Sequence, residues 1–517
     1  MQKQKKFKTK VLWSVAASVL ALGSVSAVAV ACNDSKKLEV KNFYAAPRGE
    51  TTPEYLSAYN ALINDGARFL ALYGFYHGNH LAKGMEGNGL RNNTVAVYVD
   101  DKFSGKENVD RVASVQFRVD HAAFLAGIAG AYHLNSNQKT YLRSGVTELT
   151  WAGIVGLPFS STSTFIQGFK LGVAWANEKL KDKDIAQKDD TTPKKWKEVK
   201  QVFADLYASG SFNADEPKAG QIMDQLISKK ASLVLMAAGG QGNIAINKII
   251  NASHPMSLVG VDTAQEKDNS FNKARLTNTD LNNGKPVLFS IVKRVDMAGY
   301  AVMNSAKEGK QIEKDLKKDA YKLGTHTLAS FDESTFVKGN ALVQLSEAGR
   351  GTLIEAYKLV DPSVTDYNSV VAKVSQDEIF KILDIEKSEA DLDSLLDHTM
   401  ENGAKKYTKV KDEHKNKSVI ELQKLLGGDV YVDKDGTVYP YRNNKSSYLG
   451  DKTADTATSS TKFKEAWDAA KPEDRVKLIK MAIEPAGRIN DKSFQQTGYN
   501  ALYQFYKENG IDIPEIK

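Results

Sequence analysis

The sequence predicts an α/β protein built on doubly wound parallel sheets. From Leu38 to about Met303, apolar β-branched runs alternate with amphipathic stretches of helical period, which is the pattern of βαβ units. Most of the apolar runs end next to glycine or a polar residue. The third observation is that the segment from Gly487 to Phe494 resembles the start of a first βα unit, although it lies near the end of the chain. We therefore expect a C-terminal segment to complete a sheet that begins with N-terminal residues.

The first residues predict export and a lipid anchor. Lysines crowd the segment from Lys3 to Lys10, an apolar run follows from Val11 to Val30, and small residues precede Cys32. This pattern is typical of a bacterial lipoprotein signal peptide over residues 1–31, with Cys32 as the lipidated residue and residues 32–37 as a tether. An uncleaved membrane anchor is the alternative, since the apolar run is long enough to span a bilayer. Both readings place the remaining chain at the cell membrane, on its extracellular face.

Composition excludes several function classes. The chain has one cysteine, so it forms no internal disulfide and no thiolate metal cluster. Its formal net charge of +7 falls to +2 once the five leader lysines are removed. A net charge this close to zero argues against a nucleic-acid partner. The sequence also lacks a Gly-x-Ser-x-Gly serine motif, a phosphate-binding loop and histidine-rich metal spacing, so we expect no catalysis, no cofactor and no metal.

Five apolar runs are strand candidates within the first 303 residues. In open α/β sheets, ligands bind in the crevice beyond the carboxyl ends of the strands, so the residues just after these runs are functional candidates. The candidate strands are Phe69 to Tyr73, Thr94 to Tyr98, Val112 to Phe117, Ser232 to Met236 and Ser257 to Val261.

A series of motifs resembles the basic membrane protein family of solute-binding lipoproteins, whose members include purine-nucleoside receptors. The motifs occur in the family's order over about half of the exported part. They are Val112 to Phe117, Phe124-Leu-Ala-Gly127, Gln167-Gly-Phe-Lys-Leu-Gly172, Gly210-Ser-Phe-Asn213, Ala237 to Gly242, Gly260-Val-Asp262 and Ser290 to Asp296. The resemblance implies a two-lobed, type I periplasmic-binding-protein-like fold with the ligand between the lobes.

The order of units departs from the family, whose members begin with a strand and a Phe-Asn-Asp-Lys-Ser-Phe-Asn-Gln type segment. Here the segment from Leu38 resembles the second family unit, and the missing first unit resembles Val476 to Ile483 followed by Ile489 to Gln496. The sequence thus looks circularly permuted, with the C-terminus supplying the first βα unit of lobe one. Two alternatives are a swapped oligomer, in which the tail fills a neighbouring molecule, and a degenerate second copy of the unit.

The motifs divide the chain into five parts, of which the signal peptide and the tether are the first two. The two lobes occupy residues 38–305, a closing segment, insertion and linker occupy 306–460, and the displaced unit occupies 461–517. Within the middle part, Tyr321-Lys-Leu-Gly324 resembles the family's closing strand. Alternation around Asp435-Gly436 predicts a β-hairpin rather than a calcium loop. The Thr- and Ser-rich stretch from Thr453 to Thr461 predicts a flexible linker.

Recognising a nucleoside requires an aromatic face for the base, polar groups for its edge and an acid for the ribose hydroxyls. The resemblance implies that Asp262 binds the ribose, that Lys293 lies beside it and that Asp100 faces the base. Phe494 and Phe212 supply aromatic faces, with Phe159 as a further candidate. The full set of ligand-binding candidates is Asp491, Ser493, Phe494, Asp100, Phe212, Gly239, Gly240, Asp262 and Lys293.

Several of these residues have a plainer structural interpretation. Asp262 could cap a turn, Lys293 could only neutralise Asp262, and Phe494 could pack its own helix. Asp491 is placed to cap that helix. Phe75 and Tyr76 fit either the cleft or the lobe core equally well.

The function we expect is a membrane-anchored substrate-binding lipoprotein. It captures a nucleoside, with a purine base favoured, and delivers it to an ABC-type permease. The alternative is a surface adhesion or host-interaction lipoprotein that keeps the fold without binding a ligand.

Overall fold

The computed structural model describes residues 38–143, 145–202, 206–268, 271, 284–309, 320–330, 341–401, 403–433, 435–440, 447–449, 456–485, 488–491 and 493–516. The strands are β1 Tyr44–Ala45, β2 Phe69–Tyr73, β3 Val95–Val99, β4 Val112–Phe117, β5 Leu149–Val155, β6 Asp184–Ile185, β7 Lys194–Lys195, β8 Val199–Gln201, β9 Tyr207–Ala208, β10 Leu233–Ala237, β11 Ser257–Asp262, β12 Val287–Lys293, β13 Thr325–Ala329, β14 Val343–Leu345, β15 Leu396–Glu401, β16 Ala404–Val410, β17 Val430–Val432, β18 Val438–Pro440, β19 Ser447–Tyr448 and β20 Ile479–Ala482. The helices are α1 Thr52–Asn64, α2 His77–Gly84, α3 Val119–Asn135, α4 Gln138–Tyr141, α5 Ser160–Lys179, α6 Pro217–Ser228, α7 Gly242–Ile249, α8 Val295–Glu308, α9 Glu347–Lys358, α10 Tyr367–Val374, α11 Glu378–Lys381, α12 Glu389–Leu395, α13 Val419–Leu426, α14 Thr456–Ala469, α15 Pro472–Arg475 and α16 Phe494–Glu508.

The sheet of the first lobe contains the C-terminal strand as the second of its seven strands. Its strand order is β1-β20-β2-β3-β4-β13-β19, and only the edge strand β19 is antiparallel to its neighbour. Met481 of β20 lies opposite Tyr44 on one side and Ala71 on the other. The predicted doubly wound fold, with its first βα unit supplied by the C-terminus, is confirmed, and β20 pairs within its own chain.

Burial explains why β20 occupies this position. All four residues of β20 are buried, as expected for a strand with helices on both faces of its sheet. In the neighbouring β2, Phe69, Ala71 and Tyr73 belong to one hydrophobic core, whereas Leu70 and Leu72 belong to another. Helix α16 covers the first face, and its Tyr499, Leu502 and Phe505 are fully buried at the helical spacing that the sequence predicts.

The second lobe has a sheet of order β14-β12-β11-β10-β5-β8, in which β14 is antiparallel and β9 also pairs with β5. Helices α3 and α5 pack closely on one face. A side chain at Gly127 or at Gly172 would collide with the backbone of the facing helix. The glycines of two family motifs are therefore required for helix packing, which the motif comparison alone did not reveal.

The described strands and helices place four crossovers of the chain between the lobes. The first joins β4 to α3 at residues 117–119, and the second joins β12 to α8 at residues 293–295. The third lies between β13 and β14, and the fourth lies between β18, which packs on α5, and β19. Crossovers of this kind are where lobe motions concentrate, because a few residues there absorb the change in backbone angles.

The middle part of the chain differs from two predictions. The closing strand is Thr325–Ala329, directly after the predicted Tyr321 to Gly324, where Tyr321 and Gly324 have positive φ angles that do not fit a strand. The linker prediction is wrong for residues 456–461, because α14 begins at Thr456 and its Phe463 packs on Phe69 with ring centroids 5.4 Å apart.

The hairpin prediction is confirmed. Strands β17 and β18 pair antiparallel on either side of Asp435 and Gly436. The Asp433 carboxylate accepts hydrogen bonds from the backbone N–H groups of Asp435 and Thr437, at 2.9 and 2.8 Å. These bonds hold the turn as in an Asx motif.

The predicted signal peptide, Cys32 and tether lie outside the described residues. Among the helices that the structure does describe, none has the length and apolar character needed to cross a membrane.

Candidate functional site

A cleft of about 410 Å³ lies where the carboxyl ends of strands from the two lobes meet. A volume of this size is in the range of small-molecule sites. Lobe one contributes Glu50, Gly74, Phe75, Tyr76, Asp100, Glu484, Pro485, Arg488, Asn490, Asp491, Phe494 and Gln495, and lobe two contributes Leu157, Phe159, Ser161, Thr162, Phe165, Gly210, Ser211, Phe212, Asn213, Ala214, Ala237, Gly239, Gly240, Asn243, Val261, Asp262 and Lys293. The cleft therefore contains eight of the nine predicted ligand-binding residues, and the ninth, Ser493, contacts one of them.

Lys293 lies at the centre of the polar part of the cleft. It ends β12, and its Nζ is 2.8 Å from Asp100 Oδ1 and 3.5 Å from Asp262 Oδ1. The three side chains are nearly fully buried. The sequence prediction placed Lys293 beside Asp262, and the structure adds that its shorter contact is with Asp100 of the opposite lobe. Lys293 thus bridges the lobes and does more than neutralise Asp262.

Both carboxylates sit on unusual backbone. Asp100 has a φ of 100° and Asp262 a φ of 65°, each at or just after the end of its strand. Non-glycine residues seldom adopt positive φ, and when they do the strain concentrates at functional sites. The turn aims each carboxylate toward Lys293 rather than along the sheet. The cleft lining includes Asp100 and not its neighbour Asp101.

Electrostatics of the centre follow from burial and pairing. Burial raises the pKa of Asp100 to about 6, although the nearby Lys293 ammonium opposes the shift. Burial by itself lowers the pKa of Lys293, but the charges of Asp100 and Asp262 outweigh it and raise that pKa above its usual value. At neutral pH the ammonium is therefore charged and held between the two carboxylates.

The C-terminal motif shapes one wall of the cleft. Asp491 accepts backbone hydrogen bonds from Ser493, Gln495 and Gln496 at 2.9, 3.0 and 3.1 Å, so it caps α16 as predicted. The Ser493 hydroxyl donates to Asp262 Oδ2 across the cleft at 3.1 Å. Asp262 therefore faces the cleft and contacts the opposite lobe.

Phe494 faces the cleft next to this cap. Lys293 Nζ lies 4.8 Å from the centroid of the Phe494 ring, which is a cation–π distance. The ring also packs edge-on against Tyr73, with centroids 6.4 Å apart. The side chain thus combines the two interpretations left open by the sequence, because one part packs the helix and the other lines the cleft.

Aromatic rings from both lobes line the opposite part of the cleft. Phe75 of lobe one stacks on Phe159 of lobe two with centroids 3.6 Å apart and an angle of 28° between the rings. Phe212 packs edge-on against both, at 6.0 and 5.8 Å. Phe75 is therefore a cleft residue, and Tyr76 beside it also reaches the lining. Gly239 and Gly240 follow β10 and line the same part of the cleft with backbone atoms alone.

Glu484 is a cleft residue that the sequence prediction missed. It follows β20, and its Oε1 accepts the Tyr76 backbone N–H at 3.2 Å. A side chain at Gly74 would occupy the space of the Glu484 carboxyl, and Gly74 also has a φ of 119°. Burial raises the pKa of Glu484 to about 8, so its carboxyl is largely protonated at neutral pH and can donate a hydrogen bond. Glu484 lies two residues beyond the end of β20, and the rule that residues after strand ends are functional candidates could have identified it. That rule was applied only to the N-terminal strands.

Metal binding receives no support from side-chain placement. Within the parts of the chain that the structure describes, no group of three or more His, Cys, Asp or Glu side chains is arranged to hold an ion.

Two curated relatives from mycoplasmas match the chain. The uncharacterized lipoprotein MG040 of Mycoplasma genitalium is 28% identical over 380 residues, covering 62% of this chain and 62% of the relative. The MG040 homolog of Mycoplasma pneumoniae is 27% identical over 371 residues, covering 59% of this chain and 54% of the relative. The match thus spans roughly three fifths of the length of the curated relatives.

Solved structures of low sequence identity also resemble the chain. A solute-binding protein of an ABC transporter system from Aeropyrum pernix K1 is 16% identical, with a TM-score of 0.42 over 67% of this chain and 85% of that one. An ABC transporter solute-binding protein from Clostridium phytofermentans, crystallised with β-D-glucose, is 13% identical, with a TM-score of 0.33 over 62% and 87% of the two chains.

The family comparison gives the clearest result. Residues 26–185 match a family model described as Bmp, ABC transporter substrate-binding protein PnrA-like. This range includes β1 to β5 and the motifs around Val112 to Phe117 and Gln167 to Gly172. The resemblance predicted from those motifs is confirmed over residues 26–185, where the chain is similar to the Bmp family of PnrA-like substrate-binding proteins.

Proposed function

We propose that this protein is the substrate-binding component of an ABC-type uptake system and that its ligand is a nucleoside, with a purine base favoured. One observation carries the proposal: Asp100, Asp262 and Lys293 form a buried centre that joins two lobes beside a set of cleft aromatic rings. Vicinal ribose hydroxyls donate hydrogen bonds to a carboxylate, and a planar base stacks on aromatic faces. The match of residues 26–185 to a family of substrate-binding proteins supports the same class of function.

Each cleft residue has a defined part in this proposal. Asp262 accepts the ribose hydroxyls, and Lys293 keeps Asp262 and Asp100 in place. Phe494, Phe212 and the stacked ring of Phe159 offer faces for the base. Protonated Glu484 and ionised Asp100 offer a donor and an acceptor to its edge, while Gly239 and Gly240 admit the ligand close to backbone N–H groups. Asp491 and Ser493 support this wall through the helix cap and the bond to Asp262.

Closure of the lobes couples binding to delivery. A ligand that contacts both lobes favours the closed arrangement by its differential affinity, and a permease can recognise that arrangement. We also propose that Cys32 anchors the protein to the membrane, which agrees with the description of the two mycoplasma relatives as lipoproteins. In the same proposal, residues 461–517 are the displaced first unit of a circularly permuted family fold.

Calorimetric titration with guanosine, adenosine, inosine, uridine and ribose tests the function. The full chain is purified in detergent through unfolding and refolding, which removes any carried-over ligand. Asp262→Asn is the informative variant, because asparagine tolerates the positive φ at this position whereas alanine would be strained. We expect it to weaken nucleoside binding by at least tenfold, on the order of the loss for a hydrogen bond to a charged group.

Asp224→Asn is the matched control. Asp224 lies in α6 of the same lobe and pairs on the surface with Lys248, at 2.7 Å. It should bind like the unmodified chain. A folded protein that gives no heat with any of the five compounds would contradict the proposal and favour the adhesion or host-interaction alternative. Equal affinity of both variants would remove Asp262 from the site.

A further inference from the structure

The first and second crossovers carry the same tripeptide, Arg-Val-Asp, with the same geometry. At the first, Arg118 Nε and Nη2 donate to the Asp120 carboxylate at 2.9 to 3.1 Å. At the second, Arg294 Nε and Nη2 donate to Asp296 at 2.9 to 3.2 Å. Each arginine precedes the helix that enters the other lobe, and their backbone angles differ by only a few degrees. The two crossovers are therefore built alike in the chain itself.

The first of these crossovers also contacts the segment from Glu378 to Asp384. Asp384 Oδ1 lies 2.7 Å from Arg118 Nη1, and Arg118 Nη2 donates to the Leu383 carbonyl at 3.3 Å. The same carboxylate oxygen lies 3.3 Å from His121 Nε2, and His121 Nδ1 lies 3.1 Å from Ser330 Oγ. Ser330 directly follows β13, at the start of the third crossover. The Asp384 carboxylate thus contacts the first crossover directly and the end of β13 through His121.

Asp384 is held firmly enough to act on them. The segment from 378 to 384 contains α11 and a following 3-10 turn, and its Ile379, Ile382 and Leu383 are buried. The Phe380 ring packs edge-on against Phe124 of α3, with centroids 5.2 Å apart. A segment seated on lobe two by this many apolar contacts resists displacement, because each buried side chain stabilises its position.

We propose that residues 378–384 form a hinge clamp, in which Asp384 ties the first crossover directly, and the end of β13 through His121, to lobe two and stabilises the lobe arrangement seen here. Lobe closure and opening require changes of backbone angle at the crossovers, so contacts made there in one arrangement shift the equilibrium toward it. The inference extends the proposed function to its regulation, and only its effect on affinity depends on that function. The insertion then adjusts binding without touching the ligand.

Inter-lobe distance measurement tests the clamp. Spin labels are placed on the full chain at Ser57→Cys in α1 of lobe one and Lys229→Cys next to α6 of lobe two, both exposed, with Cys32→Ser to remove the native thiol. Asp384→Ala should widen the distribution of label separations and shift it to longer values. Nucleoside affinity should fall by roughly three- to tenfold, since apparent affinity scales with the fraction of molecules in the binding-competent arrangement.

Lys373→Ala is the matched control. It removes an ion pair of the same insertion, to Asp361 at 3.0 Å, that touches no crossover. It should leave the separations unchanged. Asp384→Asn serves if the alanine variant does not fold, with the same shift at smaller amplitude. Separations identical to those of the unmodified chain in a folded Asp384 variant would overturn the clamp. A shift in separations without nucleoside binding by any form would sustain the clamp and reject the proposed ligand.

Discussion

The C-terminal unit and the hairpin β15–β16 both follow residue 304, yet they contribute to the structure in opposite ways. Every residue of β20 is buried, and the strand pairs on both sides. In β15 only Leu396 is buried, and its sheet contains just the two hairpin strands. The unit that comes last in the sequence supplies an internal strand of the lobe-one sheet and forms one wall of the cleft. Position along the chain therefore does not predict how much a strand contributes to the fold, whereas burial on both faces of a sheet does.

The largest effect is expected when the C-terminal unit is removed. Truncation after Arg475 deletes β20 and α16, leaving the backbone of β1 and β2 unpaired at a buried gap. The buried apolar side chains lost with them include Ile479, Met481, Leu502 and Phe505. At about 1.5 to 3 kcal/mol each, these four alone approach the net stability of a typical domain, about 5 to 15 kcal/mol. We expect the cooperative unfolding transition of lobe one, followed by calorimetry, to be lost.

The comparison supplies the control for this truncation. Replacing residues 398–408 of the hairpin by a short Gly-Ser linker removes a similar kind of secondary structure without opening a sheet of either lobe. That variant should keep its main transition and its ligand affinity. If the truncated chain instead unfolds like the full chain, β20 and α16 do not contribute to the stability of lobe one.

A subtler test concerns the charge that the C-terminal unit brings into the cleft. Burial raises the pKa of Glu484 from its usual 4.5 to about 8, although the Tyr76 backbone N–H opposes the shift. Asp100, Lys293 and Asp491 are the other charged groups that act on it. Between these pH values the folded chain holds a proton that the unfolded chain has released. The stability from that proton is complete below about pH 4.5 and is lost as the pH rises to about 8.

Glu484→Gln should remove this dependence. Urea unfolding from pH 5 to pH 8 should show the variant gaining stability relative to the unmodified chain as the pH rises, by at most about 1.4 kcal/mol per pH unit. Asp100, with a pKa raised to about 6, titrates in both proteins and cancels in the difference. A constant difference across the range would mean that Glu484 is ionised in the folded state throughout.

Motifs and periodicity predicted more of the fold than of the cleft. Local patterns identified β2 and β4 to the residue, and the capping position of Asp491 follows from the same local rules. The pairing of Lys293 with Asp100 joins residues 193 positions apart, and no local pattern encodes which of two aspartates is nearer. Glu484 escaped for a related reason, since its pKa shift depends on burial beneath Tyr76 and Gly74. The linker error at Thr456 arose because composition was weighed above the apolar Phe463 and Trp467, which pack that helix.

The smallest effect is expected on the exposed side of the comparison. Lys406 of β16 pairs with Glu401 of β15 at 2.7 Å, and both side chains are more than half exposed. Exposed pairs of this kind contribute little, because water screens the attraction and two long side chains must be ordered. Lys406→Ala should leave the urea midpoint and the nucleoside affinity within experimental error of the unmodified chain. A clear loss of either would mean that the hairpin supports the lobes or the cleft, and the contrast between a structural C-terminal unit and a peripheral hairpin would no longer hold.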